Sequence, residues 1–125
     1  MSKKILIVED EKPIARALEL KLNSSGYEAV TASDGQDALN KIDGGNNYDL
    51  VLLDLVMPNL DGFGFLTKIK EKHLSVPVMV TSNLSQEDDI NRAKDLGAID
   101  YYVKSNTPLA MIVQKINNFF NGTAQ

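Results

Sequence analysis

Residues 5–10 read "ILIVED", in which four branched apolar side chains run directly into two carboxylates. Apolar residues at four consecutive positions are typical of a strand that is buried on both faces, as the strands of a parallel sheet are. Such a strand has no use for charge unless the chain leaves the sheet at that point. The stretch therefore predicts a buried strand whose carboxyl end presents Glu9 and Asp10.

Further apolar runs of strand length follow along the chain, and segments with helical spacing separate them. The predicted strands are residues 4–8, 27–31, 49–53, 77–81 and 100–104. Strands that alternate with helices predict a parallel sheet that is covered by helices on both faces. The run at 27–31 mixes polar and apolar residues, so we expect that strand at an edge. The predicted fold is a doubly wound, five-stranded α/β sandwich.

Capping residues and glycines indicate where the helices begin and end. The expected helix starts are Pro13 in a first turn, Ser33 with Gln36 as a capping box, Ser85 before Asp88, and Thr107-Pro108. Phe63, Leu66 and Ile69 have the spacing of a third helix. Gly44 and Gly97 are expected to end the second and fourth helices.

Composition excludes several classes of protein. The 125 residues contain no cysteine, so disulfides, thiolate chemistry and cysteine-ligated zinc are excluded. The formal net charge of -4 argues against direct nucleic-acid binding, which normally needs a basic face. Only four apolar residues separate Lys4 from Glu9, too few for a signal-peptide core or a membrane span. We therefore expect a cytoplasmic protein that does not associate with membranes.

Polar residues occupy the carboxyl ends of four predicted strands. They are three acids, two hydroxyls and a lysine: Glu9, Asp10, Asp54, Thr81, Ser82 and Lys104. In doubly wound sheets, ligands bind outside the carboxyl ends of the strands, where the strand order reverses. The six side chains are therefore expected to converge on one rim of the sheet.

The chemistry of these six residues predicts a phosphoryl site. Three neighbouring carboxylates repel one another unless a cation compensates them, and Mg²⁺ suits an all-oxygen set. Lys104 adds a second positive charge, and a hydroxyl can donate to a phosphoryl oxygen. A carboxylate in such a site can attack phosphorus and form an aspartyl phosphate. Asp54, which ends the central strand, is the predicted phosphoacceptor.

Several stretches together resemble a known family. They are "ILIVEDE" (5–11), "DLVLLDLVMPNLDGFGF" (49–65), "VPVMVTS" (76–82) and "AKDLGAIDYYVK" (93–104). The sequence resembles the receiver domain of bacterial two-component response regulators, the CheY-like superfamily. The resemblance implies a receiver domain over residues 1–121, with 122–125 as a short tail. It also implies a flavodoxin-like fold with five helices and the strand order 2-1-3-4-5.

The resemblance also implies a set of site residues. Asp54 would accept a phosphoryl group from a sensor histidine kinase or a phosphotransfer protein. Mg²⁺ would be held by Glu9, Asp10, Asp54 and the backbone carbonyl of Met57. Phosphate oxygens would be held by Thr81, Ser82 and Lys104. The protein would then be a signalling phosphoacceptor that catalyses its own phosphorylation and dephosphorylation, not an enzyme with a separate substrate.

A switch is part of the same resemblance. On phosphorylation Thr81 would move toward the phosphate and Tyr101 would turn inward behind it, while Tyr102 would point to the other face into the core. The change would be read on the surface of the fourth helix, fifth strand and fifth helix. A downstream protein or an output domain would bind the changed surface. The protein would be a monomer or a phosphorylation-dependent homodimer.

The sequence departs from the family pattern at two positions, Ser105 and Glu9. Ser105 follows Lys104, where the family usually has a proline in a cis peptide bond. A cis bond before a residue other than proline costs about 2.5–4 kcal/mol, so this bond is either trans or cis under strain. Glu9 replaces the commoner aspartate, a variation that leaves magnesium binding intact.

Three other functions stay open at this point. A magnesium-dependent phosphatase similar to the haloacid dehalogenases needs a D-x-D pattern after its first strand, whereas residues 54–56 lack the second acid and follow the third. A flavin carrier needs a glycine- and hydroxyl-rich loop where residues 9–11 are all acidic. A receiver that acts only as a protein-binding scaffold is the third alternative.

Overall fold

The computed structural model describes residues 2–122. The strands are β1 (Lys4–Val8), β2 (Glu28–Ala32), β3 (Leu50–Leu53), β4 (Val78–Ser82) and β5 (Asp100–Val103). The helices are α1 (Lys12–Ser24), α2 (Gly35–Asp43), α3 (Gly62–Glu71), α4 (Glu87–Asp95) and α5 (Leu109–Asn121), with a 3₁₀ turn at Lys104–Asn106. Of the predicted tail at 122–125, all but Gly122 lies outside the described residues. Within the described range, every helix is too short or too polar to cross a membrane.

The five strands form one sheet in the order β2-β1-β3-β4-β5. Every neighbouring pair is parallel, and the register of β1 against β3 aligns Ile5 with Leu50 and Val8 with Leu53. The predicted sheet order is therefore confirmed, and so is the placement of β2 at an edge. Because the strand order reverses between β1 and β3, a crevice opens at the carboxyl ends of these two strands.

The core has two halves, one on each face of the sheet. Ile5 and Ile7 pack on the face that α1 and α5 cover, whereas Leu6 and Val8 pack on the face that α2, α3 and α4 cover. Successive side chains of a strand point to opposite faces, so a strand covered on both faces needs an apolar residue at every position. This requirement explains the unbroken apolar run that precedes Glu9.

The start of α2 differs from the sequence prediction by one residue. Asp34, not Ser33, is the N-cap, and its Oδ1 accepts a hydrogen bond of 2.8 Å from the backbone N–H of Asp37. The backbone N–H of Ser33 in turn donates to Oδ2 of Asp37 at 2.9 Å. The predicted capping box of Ser33 with Gln36 is therefore wrong, because Asp34 and Asp37 cap this helix and the side chain of Asp37 accepts from the residue before the cap.

The starts of α4 and α5 also differ from the prediction. The residue before α4 is Gln86, not Ser85, and its side chain makes no capping bond. Three acids in the first turn, at 87–89, favour the positive end of the helix dipole instead. Thr107 does not cap α5, because its hydroxyl donates to the carbonyl of Val103 at 2.9 Å.

In the link between β5 and α5, the Lys104–Ser105 peptide bond is trans. The chain makes its turn through the 3₁₀ segment instead, where the N–H of Thr107 donates to the carbonyl of Lys104 at 3.3 Å. This turn places Lys104 directly at the end of β5, at the same rim as the ends of β1 and β3.

Candidate functional site

The carboxyl ends of β1, β3 and β5 bring four charged side chains together. Carboxylate oxygens of Glu9, Asp10 and Asp54 all lie within 4.8 Å of one another. The Nζ atom of Lys104 lies 2.5 Å from Oε1 of Glu9 and 3.5 Å from Oδ2 of Asp54. The result is an acidic pocket with a single ammonium group against two of its three carboxylates.

Glu9 is the most buried of the three acids in this pocket. Its N–H continues the pairing of β1 with β2 by donating to the carbonyl of Ala32 at 3.0 Å, so the residue stays buried and only 4% exposed. Lys104 donates to Oε1, and the backbone N–H of Glu11 donates to Oε2 at 3.2 Å. Burial raises the pKa of Glu9, and the negative charge of Asp54 adds to the increase. Both oxygens of Glu9 therefore already have partners.

Asp54 lies in the middle of the rim and is 7% exposed. Its N–H donates to the carbonyl of Val8 at 3.0 Å, which fixes the end of β3 against the end of β1. Its Oδ1 accepts a hydrogen bond of 2.8 Å from the N–H of Leu55. Burial raises the pKa of Asp54, and the charge of Lys104 opposes that increase. A buried carboxylate of this kind is stabilised when a cation approaches it.

Lys104 keeps its charge in spite of its position. Burial alone would lower the pKa of Lys104, but the hydrogen bond to Glu9 and the charge of Asp54 outweigh burial and raise that pKa. A lysine that keeps its proton supplies a fixed positive charge beside Asp54, where a phosphoryl group would need one.

The two hydroxyl residues of β4 differ in their surroundings. Thr81 borders, together with Lys104, a cavity of about 400 Å³ between α1 and α5. Ser82 is fully buried, and its Oγ accepts a hydrogen bond of 3.2 Å from the N–H of Leu84. Neighbouring residues of a strand point to opposite faces, which accounts for this difference.

The two tyrosines of β5 lie on opposite faces of the sheet. Tyr101 packs on the side of α2, α3 and α4 and donates from its hydroxyl to the carbonyl of Leu84 at 2.6 Å. Tyr102 packs on the side of α1 and α5 and donates to Oδ2 of Asp100 at 2.6 Å. Both rings are half-buried. The hydroxyl of Tyr101 thus binds the loop that follows β4, two residues after Ser82.

The loop from β3 to α3 contains two features that the sequence analysis missed. Met57 is buried in this loop, while the preceding Val56 is 60% exposed beside the acidic pocket. Asn59 adopts a left-handed backbone with φ of 65°, and its side-chain amide donates to Oδ2 of Asp34 at 2.6 Å. The preference of asparagine for left-handed φ values is the one sequence signal that indicates such a turn.

The donor set fits a hard divalent cation. The clustered oxygens come from three carboxylates, two buried and one, on Asp10, exposed at the rim. Oxygen ligands alone, with one side open to water, are what Mg²⁺ prefers in proteins. The described residues of this cluster can therefore hold a magnesium ion.

The sheet order and this acidic pocket define a flavodoxin-like α/β protein whose clustered acidic residues, at the carboxyl ends of its strands, could hold a cation. Residues 5–117 match the family described as the response regulator receiver domain. The chain belongs to that family.

Relatives and solved structures agree with this assignment. The chain is 38% identical over 108 residues to the alkaline phosphatase synthesis transcriptional regulatory protein PhoP of Bacillus subtilis, covering 86% of this chain and 45% of that protein. The chain thus spans less than half the length of this curated relative. The phosphorylated cyanobacterial phytochrome response regulator RcpA is 34% identical, with a TM-score of 0.84 over 100% of this chain and 98% of RcpA. The response regulator TrrA of Thermotoga maritima, solved in complex with Mg(2+)-BeF, is 32% identical, with a TM-score of 0.80 over 93% of this chain and 97% of TrrA.

Proposed function

We propose that this protein is a phosphoacceptor module of a two-component signalling system, in which Asp54 accepts a phosphoryl group. The observation that carries the proposal is the pocket itself, where Asp54 is buried between Lys104 and two further acids at one rim. The donor is a sensor histidine kinase or a phosphotransfer protein. RcpA, a relative of the same fold, is described as phosphorylated, which supports this assignment.

The metal of the reaction would be Mg²⁺, which Glu9, Asp10, Asp54 and the backbone carbonyl of Met57 would hold. The ion, when bound, neutralises negative charge on the phosphoryl oxygens and on the carboxylates around them. Because both oxygens of Glu9 and Oδ1 of Asp54 already accept hydrogen bonds, the exposed Asp10 is the carboxylate most open to direct ligation. The complex of TrrA with Mg(2+)-BeF supports the choice of metal.

The transfer step forms one bond and breaks one bond. A carboxylate oxygen of Asp54 bonds to phosphorus while the P–N bond of the donor phosphohistidine breaks, and the electron pair leaves on the imidazole nitrogen, which gains a proton from solvent. With acetyl phosphate as donor, the P–O bond breaks and acetate leaves. The ammonium of Lys104 and one hydroxyl at the end of β4 hold the phosphoryl oxygens, and because Thr81 and Ser82 point to opposite faces only one of the two predicted hydroxyls serves. Attack of water on the aspartyl phosphate returns Asp54 and inorganic phosphate.

Mass spectrometry of the intact protein tests this function. After incubation with acetyl phosphate and Mg²⁺, we expect a gain in mass of one phosphoryl group, and no gain when EDTA replaces Mg²⁺. Treatment of the labelled protein with mild base should remove the group, as expected for an acyl phosphate. A protein that stays unmodified with both reagents present would contradict the proposal and favour the scaffold alternative.

The switch predicted for Thr81 and Tyr101 needs both side chains on one face of the sheet, but Thr81 lies on the side of α1 and α5 and Tyr101 on the other. We therefore propose Ser82 as the switch hydroxyl, because its Oγ accepts from the N–H of Leu84 while the hydroxyl of Tyr101 donates to the carbonyl of the same residue. The surface of α4, β5 and α5 then changes and is read by a downstream protein or an output domain. α4 is suited to move because, among its described residues, only Ala93 is buried.

A substitution separates the switch from phosphorylation. We expect Ser82→Ala to be labelled by acetyl phosphate but to lose most of the change in α4 amide resonances that phosphorylation causes in the wild type. Thr67→Ala, which removes a half-buried hydroxyl residue from α3, is the control and should keep the full change. Equal resonance changes in Ser82→Ala and the wild type would remove Ser82 from the switch.

Localisation and assembly belong to the same proposal. We place the protein in the cytoplasm, as a monomer or a phosphorylation-dependent homodimer. Analytical ultracentrifugation before and after treatment with acetyl phosphate distinguishes these two states, and a stable dimer before treatment would contradict both.

A further inference from the structure

The acceptor loop, residues 54–61, carries both Asp54 and Met57 and is closed at its base. The N–H of Gly62 donates to the carbonyl of Leu55 at 2.9 Å, so the two ends of the loop are hydrogen-bonded to each other. At the apex between them the side chain of Met57 packs into the core, whereas Val56, Pro58 and Asn59 on either side of it are exposed. The path of the exposed part of the apex therefore depends on the hydrogen bonds that hold it.

Two hydrogen bonds hold the apex, and both come from the start of α2. The N–H of Gly35 donates to the carbonyl of Leu60 at 2.9 Å. The side chain of Asn59 donates to Oδ2 of Asp34 at 2.6 Å, while Oδ1 of the same carboxylate accepts from the N–H of Asp37. Both oxygens of this buried acid are used, one for the helix and one for the acceptor loop.

Asn59 is an unusual residue for a contact that only fills space. Its side chain is exposed, and its backbone is in the left-handed region that residues other than glycine rarely adopt. Non-glycine residues in that conformation persist where the surrounding structure requires them, often at functional sites. Here Asn59 lies two residues after Met57, so its tie to Asp34 fixes the course of the backbone on which the Met57 carbonyl is carried.

We propose that Asn59 is a positioning residue for the cation, and that its hydrogen bond to Asp34 holds the acceptor loop so that the Met57 carbonyl faces the metal site. This inference rests on the proposed function, in which that carbonyl is a ligand. Asn59 itself does not touch the ion. It acts through the loop, as residues behind a ligand commonly do when they fix its orientation.

The pair lends itself to a swap of the two side chains. Asn59→Asp alone sets two carboxylates against each other where a hydrogen bond of 2.6 Å now lies, so the tie breaks. Adding Asp34→Asn returns one amide and one carboxylate to the pair with their roles exchanged. Asparagine caps helices about as well as aspartate, and aspartate also tolerates left-handed backbone, so both positions accept the exchange.

Calorimetric titration of the metal-free protein with Mg²⁺ provides the test. We expect Asn59→Gly, which removes the amide but allows the same backbone, and Asn59→Asp to weaken Mg²⁺ binding by about tenfold. The double swap should restore the affinity to near the wild-type value. Asn46→Gly is the matched control, because Asn46 is an exposed asparagine that also makes one side-chain hydrogen bond, to Lys41. It should leave the affinity unchanged.

Simple attraction between charges predicts the opposite order, which makes the swap decisive. The carboxylate added in Asn59→Asp would then tighten Mg²⁺ binding. Removing the carboxylate of Asp34 in the double swap would weaken that binding again. That order, or an unchanged affinity in Asn59→Gly, would overturn the positioning role while wild-type labelling by acetyl phosphate still upholds the proposed function. A wild-type protein that neither binds Mg²⁺ nor takes up label would overturn both.

Discussion

We expect Asp54→Asn protein to take up no phosphoryl group from acetyl phosphate and Mg²⁺, and its metal-free form to be more stable at neutral pH than the wild type. The loss of label follows because the amide cannot attack phosphorus as a carboxylate does. The gain in stability follows because Asp54 is buried beside Glu9, so the substitution removes both a costly buried charge and a like-charge contact. Lys104 keeps Glu9 as its partner at 2.5 Å and is not left unpaired.

The pH dependence of this gain has a definite sign. Burial raises the pKa of Asp54 in the folded state, so the folded protein binds a proton more readily than the unfolded chain. Stability of the wild type therefore falls as the pH rises through the interval between the unfolded and folded pKa values. The stabilisation by Asp54→Asn, on the order of 1 kcal/mol at neutral pH, should disappear below the unfolded pKa of about 3.9.

Mass spectrometry measures the label, and urea unfolding in EDTA at neutral and acid pH measures the stability. Asp61→Asn is the matched control, because Asp61 caps α3 with a bond of 2.8 Å from the N–H of Gly64 and asparagine caps comparably. The control should keep both the label and the wild-type stability. A labelled Asp54→Asn protein would show that another residue is the acceptor. A variant less stable than the wild type would contradict the inference that the buried charge of Asp54 destabilises the metal-free protein.

The central strands of the sheet could be predicted from the sequence, because a strand that is buried on both faces is apolar at every position. The run at 5–8 has no position that faces water, and only a central strand meets that condition. The approach of Glu9, Asp54 and Lys104 could be predicted for a related reason, since the carboxyl ends of parallel strands lie at one edge. Both features follow from the alternation of side chains along a strand and from the parallel arrangement of the strands, and sequence patterns indicate both.

The partners within the site depend on details that sequence patterns do not carry. How closely Lys104 approaches Glu9 and Asp54 is a matter of side-chain length and of the 3₁₀ turn that follows β5. The tie between Asp34 and Asn59 joins residues 25 positions apart and requires a left-handed residue at a particular place in a loop. The trans state at Lys104–Ser105 was one of two geometries that the sequence allowed.

Helix starts show the same limit on a smaller scale. Ser33 and Asp34 are both good capping residues, and only the backbone decides which of them precedes the first helical turn. Asp34 takes that place because the N–H of the next residue, Gly35, bonds to the carbonyl of Leu60 in the loop before α3. A contact between distant segments thus selects between two caps that are locally equivalent.

Gly62→Ala should destabilise the protein and slow its phosphorylation, although Gly62 lies outside the acidic pocket. A Cβ atom at this position would lie 2.5 Å from the carbonyl oxygen of Asp54 and 2.7 Å from the Cα of Leu55. Both are backbone atoms at the junction of β3 and the acceptor loop, so the junction itself must move. Overpacking of this kind costs about 1–3 kcal/mol.

The displaced atoms explain why function suffers along with stability. Asp54 is held by its own N–H bond to Val8 and by the N–H of Leu55 on Oδ1, so a shift of Asp54 and Leu55 reorients the carboxylate that we propose attacks phosphorus. Misplacement of a reacting group by about 1 Å can cost 10²-fold in rate. We therefore expect slower labelling even at a temperature where the variant is fully folded.

Gly64→Ala, two residues further along α3, is the matched control. Its Cβ would also meet a neighbour at 2.5 Å, but that neighbour is Cδ1 of Leu60, the end of a flexible side chain that can rotate away. Alanine inside a helix is favoured over glycine by about 0.5–1 kcal/mol, which offsets the adjustment of Leu60. Thermal unfolding and the rate of labelling should therefore change little in Gly64→Ala and fall in Gly62→Ala. Equal behaviour of the two variants would mean that the close contact of Gly62 with the acceptor loop does not hold Asp54 in place.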